Sequence, residues 1–152
     1  MTISVSLLTV TNSIAALSVS GVTIKDADEI PTVADKICPV MYPLPNGFIT
    51  NMVFTRESSG GGGTAKMNLE YTLHYRYLHT VAGANLNLLE VYDALLTNLL
   101  AIMVAVFGND NIAGAVDMTL DSVSDIGPLV DPAGTTTFLG VDIGLRILEF
   151  VQ

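Results

Sequence analysis

Positive charge is scarce in this chain of 152 residues, which has 6 lysines and arginines against 15 aspartates and glutamates. The formal net charge of −9 argues against nucleic-acid binding through phosphates, because such binding depends on a basic surface. Cysteine is nearly absent too. Cys38 is alone, which excludes an intramolecular disulfide framework, and its neighbours predict a buried small hydrophobic residue rather than a reactive thiol.

The start of the chain lacks the features of a secretory signal. Residues 1–10 contain neither a basic segment nor a small-residue cleavage site. We therefore expect the protein to mature in a cytoplasm. The length predicts a single domain covering residues 1–152.

Sequence patterns for catalysis are missing. The segment Gly60–Lys66 (GGGGTAK) superficially resembles a phosphate-binding loop, but it lacks the Gly-Lys-Ser/Thr order and precedes a predicted strand instead of a helix. No Gly-x-Ser-x-Gly motif supplies a hydrolase nucleophile. We therefore predict no catalytic residue and interpret Gly60–Gly63 as the flexible tip of a hairpin.

Metal and cofactor sites are not predicted either. His74 and His79 are five residues apart, which places them on opposite faces of a strand, and no cysteine or third histidine completes a zinc set. Asp117, Asp121 and Asp125 suggest calcium, but the spacing and the glycine of an EF-hand loop are missing. The sequence thus predicts no cofactor.

Apolar residues make up 50% of the chain and concentrate in a predicted long helix that ends at Gly108. Asn87, followed by Glu90 three residues later, resembles a capping box at its start. The run Leu99–Phe107 has no polar residue, so we expect this half of the helix to be buried on all sides. Asn98 keeps the uninterrupted run below the roughly 18 residues of a membrane span, so no membrane is expected. Because one small domain cannot cover so much apolar surface, the helix predicts assembly with other subunits.

The remaining pattern predicts an α+β fold. A helix over residues 5–19 comes first, at most one short strand (Ile37–Tyr42) fits the proline-rich stretch, and Phe48–Thr55 forms the next strand. Strict alternation over Lys66–His79 identifies an antiparallel strand with one covered and one polar face. Two strands follow the long helix, and two glycines inside the last one predict a bend or a close backbone approach. We expect an antiparallel sheet of about four to five strands, with two helices packed on one face and a long glycine-containing hairpin.

Negative charge is concentrated in the last third of the chain. Residues 108–152 contain seven acidic residues and one basic residue, and so carry −6 of the net −9. A solvated acidic face explains this pattern, and a functional acidic surface is the alternative.

Several features occur together along the whole chain. They are an N-terminal helix ending in Gly21 and Val22, the proline-marked stretch CPVMYPLP, a glycine-containing hairpin, a leucine-rich helix, and the segment AVDMTLDSVSDIGPLVDPAGTTTFLGVDIGLRILEF with its Phe-Leu-Gly step. In this arrangement the chain resembles the tail terminator proteins of long-tailed bacteriophages, which are also called tail-completion or neck proteins. The resemblance implies small α+β subunits that form a hexameric ring at the head-proximal end of the tail tube.

The resemblance further implies a structural protein of the virion, not an enzyme, that is assembled in the host cytoplasm and located at the junction of neck and tail. Its partners would be copies of itself, the tail tube protein and the head–tail connector or stopper protein, while DNA passes through the ring without specific binding. The candidate intersubunit contacts are Gly60, Gly61, Gly62, Gly63, Glu70, His74, Arg76, Met103 and Phe107, and the candidates for an acidic lumen are Asp117, Asp121 and Asp125.

Two other classes of protein remain open. A small ligand-binding or regulatory α+β domain would form a stable dimer with a ligand-sized pocket between sheet and helix. An enzyme using Asp117 or Asp121 would need one of these carboxyl groups in a cleft with a raised pKa. Within the structural class, another neck or tail-completion subunit also fits the pattern.

Overall fold

The computed structural model describes residues 6–27, 38–57, 66–83, 87–109, 111–112, 116–130, 132, 134 and 136–151. Within them the chain forms two helices and one sheet of eight strands, which confirms the α+β class. In chain order the elements are α1 (Leu7–Ala15), β1 (Thr23–Ile24), β2 (Val40–Pro43), β3 (Ile49–Glu57), β4 (Lys66–Val81), α2 (Leu88–Gly108), β5 (Asn111–Ile112), β6 (Val116–Val123), β7 (Gly127–Val130) and β8 (Thr137–Val151).

The two longest strands, β4 and β8, form the antiparallel centre of the sheet. The outer edge of β4 pairs with β3 along its first half and with β2 along its second half. The outer edge of β8 is shared in the same way by β6 and β7. β1 lies parallel to β2, and β5 lies antiparallel to β6, so the sheet is mixed. It has more strands than the four to five expected because β1, β5 and β7, which are only two to four residues long, were not predicted.

The alternation predicted for β4 is confirmed. Its apolar residues lie on the face that the two helices cover, where a period of two places every second side chain. β8 contributes its own alternate residues to the same core, and β6 adds Met118. The buried strand residues of this main core are Leu69, Tyr71, Leu73, Tyr75, Tyr77, Met118, Val141, Ile143, Leu145 and Ile147.

The two glycines of β8 lie where neighbouring strands are irregular, as predicted. The register between β4 and β8 shifts at Leu78, opposite Gly140, and a Cβ atom on Gly140 would collide with the carbonyl oxygen of Tyr77. The register between β6 and β8 shifts at Ser122, opposite Gly144, where an added Cβ atom would lie 2.5 Å from the Ser122 Oγ. Both glycines therefore allow a close approach that a side chain would prevent.

A second, smaller core lies beside the first register shift. It joins residues of β2, the far end of β4 and the start of β8. Cys38, which was predicted to be a buried small hydrophobic residue, is partly buried against this cluster. The fully buried members are Val40, Tyr42, Leu78 and Phe138, and Leu129 of β7 packs against them.

The first helix is shorter than residues 5–19. It begins after Ser6, whose hydroxyl accepts a hydrogen bond from the Thr9 amide, and it ends at Ala15. Val10 and Ile14, which are four residues apart on one face of the helix, pack into the main core. The backbone turns after the helix instead of continuing it, because the Val22 amide bonds to the Val19 carbonyl and leads the chain into β1.

Between α1 and β4 the structure differs from the expected number of strands, and it does not test the hairpin tip predicted at Gly60–Gly63. The described part of residues 22–47 contains two strands, β1 and β2, whereas at most one was expected. β1 escaped prediction because two residues carry no periodic signal. The strand predicted over Phe48–Thr55 is present as β3, which pairs with β4 as far as Glu57 and Lys66. Gly60–Gly63 lie outside the described residues, so their role as a hairpin tip stays a prediction.

Candidate functional site

The long helix α2 is held on the sheet by one row of side chains and one polar contact. Its start agrees with prediction, because the Asn87 side chain accepts a hydrogen bond from the Glu90 amide. Asn98 Nδ2 donates to the Tyr77 hydroxyl at 3.0 Å, and that hydroxyl also hydrogen-bonds His79 Nδ1 at 2.8 Å. The buried row on the helix consists of Leu95, Leu99, Ile102 and Val106, spaced three and four apart.

One side of α2, next to the buried row, faces solvent although its residues are large and apolar. Val104 is 71% exposed and Phe107 is 86% exposed. The expectation that this half of the helix is buried on all sides is therefore wrong for a single chain, since one row of residues is enough to attach the helix. We call this exposed row the α2 flank; it comprises Leu89, Leu96, Leu100, Val104 and Phe107.

A groove runs between α2 and β6. It has a volume of about 250 Å³, and its lining is mostly apolar. This volume is below the roughly 300–1,000 Å³ of typical small-molecule pockets. A more open depression of about 390 Å³ adjoins it, next to Leu100 and Val104. The residues of the groove, called the α2–β6 groove below, are Met103, Val106, Phe107, Asp117, Met118, Thr119 and Leu120.

The strand on the outer side of this groove has a free edge for most of its length. In the part of the chain that the structure describes, β5 pairs only with Val116 and Asp117, and no strand lies beyond β6 from Met118 to Val123. An unpaired strand edge offers a row of backbone donors and acceptors to another strand. The groove thus combines an apolar wall with unused backbone hydrogen-bonding groups.

A second apolar surface lies at the opposite edge of the sheet. Met52, Val53 and Phe54 of β3 are each more than half exposed, and Arg56 beside them is exposed as well. Asn51 has a positive φ of 54° where the β3–β4 register shifts, so the strand is irregular just before this segment. We call residues 52–56 the β3 arm. Met52, Val53 and Phe54 are apolar in succession, without the alternation of a half-covered strand. This run is the sequence feature that indicates that both faces of β3 are uncovered here.

The polar face of β4 forms pairs within the chain. Arg76 Nε donates to Asp142 Oδ1 at 2.7 Å, and its Nη1 donates to the Val130 carbonyl at 3.2 Å, which ties β7 to the sheet. The hydrogen bond with Asp142 is the main reason that the pKa of Arg76 is raised. Glu70 lies 3.7 Å from Arg146, an exposed pair. Glu70 and Arg76 therefore pair across strands within the chain, and contacts of Glu70, His74 or Arg76 with another subunit stay a prediction.

One hydroxyl–imidazole pair has the composition of a nucleophile and its base. Thr50 Oγ1 hydrogen-bonds His74 Nε2, a pairing that no sequence pattern indicates. A working nucleophile needs a third group that orients the base. Among the described residues no carboxylate hydrogen-bonds to His74, so the pair fastens β3 to β4 and lacks the third member of a triad.

The three candidate lumen residues, Asp117, Asp121 and Asp125, are all exposed, on β6 and the loop after it. Within the described ranges no group of three histidine, cysteine or acidic side chains is placed to hold a metal ion. These aspartates therefore contribute a negative surface next to the groove.

Two buried polar groups lie inside the main core. The Tyr71 hydroxyl donates to Glu149 Oε1 at 3.0 Å, and burial raises the pKa of Glu149. The Tyr75 hydroxyl is buried without a hydrogen-bond partner among the described residues. Burial also raises the pKa of Tyr77 to about 12 and lowers the pKa of His79. Tyr71, Tyr75 and Tyr77 are enclosed by packing in the main core, whereas His79 is only partly buried.

The expectation that Asn98 makes the apolar run of α2 too short for a membrane span is not supported by the helix in the structure. The helix has 21 residues, and an 18-residue window in it has a mean hydropathy of 1.8, enough by length and composition to cross a membrane. Only 22% of that window is buried. What distinguishes α2 from a free span is the buried row on the sheet and the Asn98–Tyr77 hydrogen bond.

Comparison with known proteins gives no family for this chain. No protein-family model matches it, and no curated protein matches it. Its function must therefore be argued from its own surfaces.

Proposed function

We propose that the protein is a structural subunit of a virion, a tail terminator of the kind its sequence resembles, that assembles with its own copies into a ring. The observation that carries this proposal is the α2 flank, where Val104 and Phe107 are 71% and 86% exposed. Exposed apolar surfaces of this kind mark protein–protein contacts.

The internal contacts support a scaffold better than a catalyst. The main core and the Arg76–Asp142 pair stabilise the fold, and the Thr50–His74 pair has no orienting carboxylate among the described residues. A ring subunit needs a rigid sheet and complementary surfaces, and it needs no reacting group.

The acidic residues after α2 have a role on this proposal. Asp117, Asp121 and Asp125 would face the lumen, where like charge keeps DNA phosphates from binding as DNA passes. The ring would cap the polymerised tail tube on one side and contact the head–tail connector or stopper protein on the other. Assembly would take place in the host cytoplasm, before the ring is incorporated at the junction of neck and tail.

The first test is the oligomeric state of the purified protein. Native mass spectrometry and negative-stain images at micromolar concentration should give a single closed species with several copies, hexameric by the resemblance. Addition of the tail tube protein should then give a complex with the ring at tube ends. A monodisperse monomer would reject the ring.

A second candidate is a ligand-binding module, which the α2–β6 groove favours because it lies between helix and sheet. It predicts a stable dimer that retains a small apolar molecule through purification. Mass spectrometry under native and denaturing conditions distinguishes the ligand-binding module from the ring subunit. A retained ligand adds to the mass of the protein only in the native spectrum. A ring without ligand supports the structural role.

A further inference from the structure

We infer that the β3 arm of one copy docks in the α2–β6 groove of the next copy. This inference rests on the proposed ring and names the two surfaces that build it. The occupant of the groove is thus a second copy of this chain, and the contact joins two different surfaces.

The topology puts these surfaces at opposite ends of each subunit. β3 lies outside β4 at one edge of the sheet, whereas β6 lies outside β8 at the other edge. A contact between unlike surfaces leaves one of each free on every dimer, so further copies add in the same direction. Such a heterologous contact closes into a ring when its rotation divides a full circle.

The shapes and the apolar residues correspond. Phe54 is 62% exposed on an extended strand, and the groove and its adjoining depression are open beside Phe107 and Met103. An aromatic side chain entering an apolar groove is a frequent anchor of protein interfaces. The contact would cover both surfaces at once, which neither surface achieves inside its own chain.

The charges correspond as well. Arg56 follows Phe54 by two residues, so both side chains lie on one face of the extended strand. Arg56 has no ion pair among the described residues, and neither Asp117 nor Asp121 has one. With Phe54 in the groove, Arg56 would lie beside Asp117, the acidic residue that lines the groove, at the boundary between the interface and the proposed lumen, where opposite charges steer association and fix orientation.

The strand edges add backbone complementarity. β6 has a free edge from Met118 to Val123 within the described residues. Val53–Arg56 already pair with β4 along the inner edge of β3, so among the described residues it is the outer edge of this segment that can pair with the β6 edge of another copy. Addition of a strand to a free edge is a known mode of protein recognition.

The decisive experiment disables each surface separately and then mixes the variants. Phe54→Asp blocks the arm and leaves the groove intact, whereas Phe107→Asp blocks the groove and leaves the arm intact. Each variant alone should be monomeric by native mass spectrometry. An equimolar mixture should give heterodimers and nothing larger, because one intact arm meets one intact groove. Val81→Asp, at an exposed apolar position away from both surfaces, is the matched control and should leave the ring unchanged.

The results of these experiments distinguish a failure of the proposed arm–groove contact from a failure of the proposed ring. If the wild-type protein forms rings and Phe54→Asp still does, the arm is not the occupant and the inference is wrong, while the ring proposal stands. If Phe107→Asp abolishes assembly and Phe54→Asp does not, the α2 flanks of two copies meet each other and the inference is also wrong. A wild-type monomer rejects both. Circular dichroism confirms that each variant is folded, which the exposure of both side chains favours.

A charge reversal tests the orientation independently. Arg56→Glu and Asp117→Arg should each weaken the ring at low salt, and the double variant should recover it. Recovery requires these two residues to face each other across the interface. If the double variant is as weak as the two single variants combined, the proposed orientation is overturned.

Discussion

Asn98 of α2 and Tyr77 of β4 are joined by a hydrogen bond of 3.0 Å between the amide and the phenol hydroxyl. The residue that interrupts the apolar run of the helix thus adds a polar contact with the sheet beside the buried row of Leu95, Leu99, Ile102 and Val106. Its partner Tyr77 is fully buried. The row and the hydrogen bond together leave the α2 flank facing outward.

We therefore expect Asn98→Ala to destabilise the fold by about 1 kcal/mol, the net value of a typical buried hydrogen bond. Urea unfolding of the Phe107→Asp monomer measures this without interference from assembly. Tyr77→Phe is the partner variant in a double-mutant cycle. If the two changes are strictly additive, the hydrogen bond does not contribute to stability.

Glu149 predicts a dependence of stability on pH. Burial raises its pKa in the folded state, so the folded protein binds a proton at pH values where the unfolded chain has lost it. The free energy of unfolding should therefore fall as pH rises from the ordinary glutamate value, about 4.3, to the raised value, and stay level above it. Glu149→Gln should remove this component and raise stability near neutral pH.

The control for this prediction is Tyr71→Phe, which removes the donor to Glu149. The hydrogen bond from Tyr71 lowers the pKa of Glu149, so its loss should enlarge the pH dependence. Unfolding curves between about pH 4 and about pH 7 span the ordinary glutamate range and the region above it. Equal pH profiles for Glu149→Gln and the unchanged protein would contradict the assignment.

Gly140 predicts a large effect from a small substitution. A Cβ atom there would overlap the Tyr77 carbonyl oxygen, which belongs to the backbone and cannot rotate away. Gly140→Ala should therefore destabilise the fold by about 3 kcal/mol, at the upper end for an overpacked site. Gly127→Ala is the matched control in a neighbouring strand, because nothing lies within 4 Å of its added Cβ atom. Similar losses at both positions, measured by thermal unfolding, would disprove the close approach.

The exposed helix predicts a specific behaviour toward lipid. If the α2 flank is covered by protein, the assembled wild-type chain should not float with phosphatidylcholine vesicles in a density gradient. The Phe54→Asp monomer, in which the α2 flank stays exposed, is the comparison for the assembled protein in the same gradient. Flotation of the assembled protein would indicate that α2 inserts into membranes and would count against an interface between subunits.

Strong periodicity made part of this fold predictable. The alternation along β4 and β8 identified their apolar faces, and Asn87 with Glu90 marked the start of α2. The glycines of β8 were correctly associated with close backbone approach. In each case the local pattern and the tertiary packing favour the same residues, so the sequence alone was sufficient to predict the feature.

The rest depends on three-dimensional neighbours. β1, β5 and β7 have too few residues to show a period, and β1 is defined by its parallel pairing with β2. The Thr50–His74 and Arg76–Asp142 pairs follow from strand register, which composition cannot supply. For a helix that is apolar on all sides, no pattern could tell which row faces the sheet. The exposure of Phe107 was accordingly missed for the single chain.

The pairing of β8 has a mechanical consequence. The strand has 15 residues and is bonded to β4 along nearly its whole length, with β6 and β7 on its other side. At about 3.4 Å per residue it spans about 50 Å. A pull along this axis loads all the cross-strand bonds in parallel, so they must shear together instead of unzipping one by one. In the proposed ring, force directed along β8 would therefore be resisted by all of these bonds at once.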